Sequence, residues 1–245
     1  MGKLLTPLAI ASLVFITAAG CGGSTVAVAR PKPTAPAPPP IAESEPDPLP
    51  QVRVRGLTGT LNKDDVHQTM DARQEAFDQC IHEVRRRQAW VEGTIRFDFK
   101  VDGHGKVEEV SASSSTIGHR PLERCLTQVV SATEFPRPAG RATAQFSWDM
   151  HVEPAYRPAD PMDAGLLSRV LRKKARDVFR GCKVRRFRNR FQVTAYVGRR
   201  GRILAAGAIP NRPQPDEKVD CVIEEIRSWR LPKPKRLAKV SFRLR

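Results

Sequence analysis

Residues Thr94–Val107 read TIRFDFKVDGHGKV, and this stretch decides the fold. Ile95, Phe97, Phe99 and Val101 alternate with Thr94, Arg96, Asp98 and Lys100, the period of a strand with one buried face. Asp102-Gly103-His104-Gly105 follows, with glycines where a positive φ costs little, so the chain is expected to turn back as a hairpin. Val107 and Val110 fall out of phase with a period of two, which predicts a bulge in the returning strand.

Working outward, Asn62 is placed to cap a helix with Asp64 and Asp65 in its first turn. Val66, Met70, Phe77, Cys80, Ile81 and Val84 then share one helical face. Beyond the hairpin, Pro121 sits near the first turn of a second helix carrying Leu122, Cys125, Leu126 and Val129. Ala144, Phe146, Trp148 and Met150 alternate in a third strand, so the order is α-β-β-α-β.

The same order recurs. Phe77-x-x-Cys80 matches Phe179-x-x-Cys182. Gly105 to Cys125 and Gly201 to Cys221 are both 20 residues, and Cys125 to Pro136 and Cys221 to Pro232 are both 11. Phe135-Pro136-x-Pro138 matches Leu231-Pro232-x-Pro234, and Phe146 and Phe242 each lie 8 residues past the second proline. One gap separates the copies, because Cys to Gly is 25 residues in the first and 19 in the second. In copy two, Asp163 precedes a helix with Leu167, Val170, Leu171, Val178 and Cys182, and Phe191, Val193, Ala195 and Val197 form a strand. Arg199-Arg200-Gly201 turns into Ile203-Leu204-Ala205. Pro215 opens a helix with Val219, Val222, Ile226 and Trp229, and Ala238, Val240, Phe242 and Leu244 alternate to the end. The expected class is α+β, with two tandem α-β-β-α-β domains at 57–151 and 155–245.

Five cysteines are present, none in a CxxC pair, which removes support for zinc-ribbon and thioredoxin readings. Each copy places one cysteine on each helix. In an oxidising compartment Cys80–Cys125 and Cys182–Cys221 are expected to close; four buried free thiols are the alternative. Chain-entropy arguments allow each bond ~4 kcal/mol before strain.

The fifth cysteine belongs to the N-terminus. Lys3, the apolar run Leu4–Ile16 and the small residues Ala18-Ala19-Gly20 form a signal-peptide pattern over 1–20. The apolar run is short for a membrane span of ~20 residues. Cys21 follows directly and resembles the lipidated cysteine of a bacterial lipoprotein lipobox, with Ala18 where leucine is usual; a plain secretory signal is the alternative. Gly22 in the next position implies, by the usual sorting rule, the outer membrane, facing the periplasm or the cell surface. Within 21–56, residues 31–50 hold 9 prolines, which predicts an extended spacer of roughly 60 Å rather than a core.

Charge is uneven. Residues 61–151 carry 12 basic and 14 acidic side chains, while 152–245 carry 25 basic and 9 acidic. Copy two therefore attracts anionic partners or simply presents a solvated basic face. Arg185, Arg186, Arg188 and Arg190 cluster in its shortened helix-to-strand connection, and Arg199, Arg200 and Arg202 flank its hairpin turn. These seven are the candidate anionic-partner residues. Aromatics among them are few (Phe187, Phe191, Tyr196, Trp229), which disfavours nucleic acid. His67, His82, His104, His119 and His151 make no HExxH or helical ligand pair. The Asp102–Gly105 loop lacks the acidic ligands of a calcium loop, and Ser113-Ser114-Ser115 has no base placed by sequence. No metal, cofactor or catalytic residue is expected, and no enzyme activity.

Each copy resembles the AgmX/PglI-type C-terminal domain of myxobacterial envelope proteins, which is related to the TonB C-terminal domain. The resemblance spans about 57–151 and rests on Gly59-Thr60-Leu61, Cys80, Asp102-Gly103-x-Gly105-x-Val107, Ser113-Ser114-Ser115, Leu122-x-x-Cys125 and Phe135-Pro136-x-Pro138. Copy two, about 161–245, keeps its cysteines, Gly201 and Pro232-x-Pro234. Family members usually carry tyrosine after the first cysteine, where this chain has Ile81 and Lys183. The resemblance implies a three-stranded antiparallel sheet with two helices per copy, and a non-enzymatic periplasmic module of motility or trans-envelope machines. TonB itself couples to an energising complex through an inner-membrane helix; a lipid anchor in its place implies no such energy transduction here.

Two functions follow as expectations. One is a scaffold that binds envelope proteins by strand addition, with the last strand of each copy as the natural edge. The other is a binder of anionic lipid headgroups or polysaccharide through copy two.

Overall fold

In the computed structural model the described residues are 59–185 and 189–245. The signal 1–20, Cys21, the proline-rich segment, Arg186 and Arg188 lie outside them.

Copy one opens with α1 (Lys63–Asp71), capped as expected by Asn62, whose Oδ1 accepts from the Asp64 amide at 3.2 Å. The single helix expected across 62–84 is instead two, because α2 (Gln74–Arg85) starts afresh after Ala72 and Arg73. The apolar stripe has its one interruption there: Arg73 takes a stripe position and sends its guanidinium to the Ala132 carbonyl. Val66 and Met70 in α1 and Phe77, Cys80 and Ile81 in α2 still bury. β1 (Gly93–Val101) buries every second residue, as its sequence demanded. β2 (Val107–Ser115) pairs with it antiparallel and has two irregularities, opposite Lys100/Val101 and Arg96/Phe97. The first lets both Val107 and Val110 turn toward the core despite their spacing. α3 (Arg120–Ser131) and β3 (Ala144–Val152) complete a sheet of order β2-β1-β3.

Copy two departs in one respect. Its sheet has four strands and is mixed, not three-stranded: β4 (Asp160–Pro161) runs parallel to β7 (Ala238–Leu244), beside β5 (Phe191–Val197) and β6 (Ile203–Pro210) in the order β4-β7-β5-β6. The Asp160 amide donates to Leu237 O and the Met162 amide to Lys239 O, while Arg236 grips Asp160 with two hydrogen bonds of 2.9 and 2.8 Å. Pro161 fits this edge because proline has no N–H to offer a ladder. A 3-10 turn (Ala164–Leu167) leads into α4 (Ser168–Gly181), and α5 (Asp216–Arg227) packs with α4 on one face of the sheet.

The tertiary structure explains the repeated spacing. Gly105 and Gly201 have φ of +95° and +74°. Each carbonyl accepts from the chain just past the second helix, Phe135 N to Gly105 O at 2.8 Å and Leu231 N to Gly201 O at 2.9 Å. A Cβ at either glycine would collide with the carbonyl of that same residue, Phe135 or Leu231. Glycine, helix and Phe/Leu-Pro segment are therefore locked at one separation in both copies.

The described residues form one compact unit, so both copies belong to a single body. Two core clusters exist, one per copy, and β2 and α3 pack against the second sheet. Along β5 the residues alternate to Phe191, Val193, Ala195 and Val197 in the core, as expected. Thr194 and Tyr196 on the opposite face are buried too, under copy one.

Candidate binding surfaces

Both expected disulfides are present. Cys80 on α2 joins Cys125 on α3 with Cα atoms 5.9 Å apart, and Cys182 at the end of α4 joins Cys221 on α5 at 5.7 Å. Two such bonds fit an oxidising, extracytoplasmic location. Among the described residues no helix is long and apolar enough to cross a membrane.

The strongest electrostatics lie in the seam between copies. Arg120 reaches Asp216 at 2.6 Å and Asp220 at 2.9 Å, and Arg124 also binds Asp220. The Tyr196 hydroxyl donates to Glu92 O at 2.9 Å and accepts from the Glu92 amide at 3.0 Å. Lys239 donates to the same carbonyl and lies over the Tyr196 ring. Glu123, only 2 % exposed, accepts from Ser115 Oγ at 2.7 Å, and its second oxygen has no partner among the described residues. Burial pushes its pKa up, although Ser115 and Arg120 pull the other way. Gly207 of β6 leaves no room for a Cβ against that carboxyl. His119, 7 % exposed, caps α3 by accepting the Leu122 amide on Nδ1. Burial, then the nearby Arg227 charge, lowers its pKa to about 4. Glu123, His119 and Tyr196 are buried and Arg120 nearly so, while Asp216 stays open to solvent; the contacts join the two copies.

Two surfaces remain for partners, in matching places. β3 pairs with β1 alone, so its outer edge has no strand partner among the described residues. Beside it, between α2 and β3, runs a groove of about 310 Å³ lined by Gln74, Asp78, Trp148, Asp149 and Glu153 among others. In copy two a groove of about 540 Å³ lies between α4 and β7, lined by Ser168, Leu171, Arg172, Ala175, Arg176, Arg243 and Arg245. The repeat alignment sets Gln74 against Arg176 and Asp149 against Arg245, so the two grooves are counterparts of opposite charge character. Of the other edge strands, β2 and β6 contact the opposite copy, and β4 forms the remaining edge of the second sheet.

Of the seven expected arginines, Arg186 and Arg188 lie outside the described residues, and the other five do not form one patch. Arg185 and Arg190 are exposed at the start of β5, which pairs with the Leu244 end of β7. Arg199, Arg200 and Arg202 are exposed at the β5–β6 turn, a seven-residue strand away, about 20 Å. The last strand of copy two is also a shorter edge than expected, because β4 covers Ala238 and Lys239. Arg172, Arg176, Arg243 and Arg245 were missed. Their signal was an i,i+4 pair on a helix and an i,i+2 pair on a strand, which periodicity assigns to one face of each element but cannot bring together.

No family model, no curated protein and no solved structure matches the chain.

Proposed function

We propose that the protein is a non-enzymatic interaction module of the bacterial envelope, of AgmX/PglI type, lipid-anchored through Cys21. It serves as a scaffold of a trans-envelope or motility-type assembly and takes an extended partner segment onto β3. One observation carries this reading. β3 offers nine residues in unbroken register with β1, and its sequence, AQFSWDMHV, contains no proline, glycine or lysine. Soluble proteins usually blunt an exposed edge with such residues or with a bulge, since unpaired N–H and C=O groups template another strand. Phe146 and Trp148 on the same strand are half-buried and stack on Phe99 and Phe77, which holds the edge rigid for a partner.

A photo-crosslinking residue at Gln145 or His151 of the full chain, in intact envelopes, should mark the same partner from both positions. Hydrogen exchange on the purified complex should then show amides within 144–152 becoming slow. Unchanged exchange in that segment sinks the strand-addition reading. The four-arginine groove supports a second reading, an anionic ligand of copy two.

A further inference from the structure

The groove between α4 and β7 has a composition that a merely solvated basic face does not require. Arg172 and Arg176 stand one turn apart on α4, and Arg243 near the end of β7 is two residues before Arg245, just past it. All four are exposed, and no carboxylate among the described residues pairs with any of them. No acidic residue lines the groove. Elsewhere the chain spends its carboxylates on arginines readily: Arg96 on Asp149, Arg120 and Arg124 on Asp216 and Asp220, Arg236 on Asp160. Four clustered guanidiniums repel one another, and an anion that enters among them relieves that repulsion.

The walls narrow the chemistry. Ser168, the first residue of α4, adds a hydroxyl to the lining. Guanidinium forks match phosphate oxygens in paired hydrogen bonds. Leu171 and Ala175 form an apolar floor. By helical spacing Arg169, Lys173, Arg176 and Arg180 fall on the outward side of α4, and Leu166, 57 % exposed, stands a turn before them. A basic helical face next to an exposed leucine suits a membrane surface, where phosphates meet the cations and the leucine enters the headgroup layer. The counterpart groove of copy one lacks this all-cationic lining, because Arg85 shares it with Asp78, Asp149 and Glu153.

We infer that the α4–β7 groove of copy two is a site for the phosphate of an anionic membrane lipid, gripped by Arg172, Arg176, Arg243 and Arg245. This deepens the second reading above and is independent of strand addition on β3.

The test uses the full chain carrying Cys21→Ser, so that acylation does not anchor it, with vesicles of phosphatidylcholine alone or with about a third phosphatidylglycerol. The apolar N-terminal run contributes equally to both vesicles, so the difference between them is the readout. That difference should fall at least tenfold in Arg172→Gln/Arg176→Gln and, separately, in Arg243→Gln/Arg245→Gln. Arg199→Gln/Arg200→Gln, which removes the same charge at the far end of the sheet, should change it less than twofold. The two groove pairs lie on different elements and outside the core, so a folding defect in one leaves the other informative. Equal losses in all three variants mean that net charge alone acts, and the groove is rejected while the anionic reading stands. No preference for anionic vesicles rejects both. A hexaglutamate peptide that binds the groove while vesicles do not replaces the lipid with an acidic peptide and overturns the proposal.

Discussion

His119 and Glu123 sit four residues apart at the start of α3, and burial drives their protonation in opposite senses. His119 is held neutral, with its pKa lowered from 6.5 to about 4. Between those values the unfolded chain binds a proton that the folded chain refuses. The stability it contributes is therefore complete above pH 6.5 and is lost as pH falls toward 4, on the order of 3 kcal/mol in all. His119→Asn keeps a cap for the Leu122 amide and removes the titration. Urea midpoints measured from pH 7.5 to 4 should fall less steeply in that variant than in the parent. Glu123 works the other way. Its raised pKa favours the folded chain below the unfolded value and weakens it as pH rises through the folded one. Glu123→Gln should thus be more stable than the parent at pH 8, with the gap closing in acid. A variant less stable than the parent at pH 8 would show that the carboxylate has a compensating partner.

At the scale of elements, the hairpin glycines and the disulfides do the joining. Gly105→Ala and Gly201→Ala each force a side chain into a positive-φ position against a backbone carbonyl, and each should cost about 2–3 kcal/mol. Gly181 is the informative contrast. It ends α4 with nothing within 4 Å of where an alanine methyl would sit, so Gly181→Ala should be neutral or stabilise by up to ~1 kcal/mol. Chemical denaturation of the three variants decides it; equal effects would show that α4 and the turns respond to something other than local backbone geometry. If Cys21 carries the anchor, Cys21→Ser should move the protein from the membrane to the soluble fraction of fractionated cells. Unchanged partition with no lipid mass on the N-terminal peptide would remove the anchor.

The whole molecule turns on the seam between the copies. Its contents are a guanidinium–carboxylate network, a tyrosine hydroxyl satisfied twice by one residue, and small residues on β6. Parting the copies would break these hydrogen bonds and wet the apolar residues between them. The two copies should therefore unfold in one cooperative transition, with calorimetric and van't Hoff enthalpies in agreement. Tyr196→Phe leaves the Glu92 amide and carbonyl without the hydroxyl and should cost about 1–2 kcal/mol. Two separate transitions in the parent would mean that the seam contributes little.

Sequence by itself determined the two-copy plan, the hairpins, the bulge, the cysteine pairing and the alternation of the first and last strand of each copy. All of these depend on interactions close in sequence or on periodicity that repeats within one element. Only the tertiary structure decided the break at Arg73, the fourth strand at Asp160–Pro161 and the burial of Thr194, Tyr196 and Glu123. A run such as Ala205–Ile209, buried throughout, looks in sequence like a weak strand, because periodicity reports one buried face and not the two that a neighbouring copy creates. The same limit governs the surfaces. Arg190 and Arg199, nine residues apart, lie at opposite ends of β5, while Arg172 and Arg245, 73 residues apart, line one groove. Charge is written locally, but where charges meet is set by how helices and strands pack.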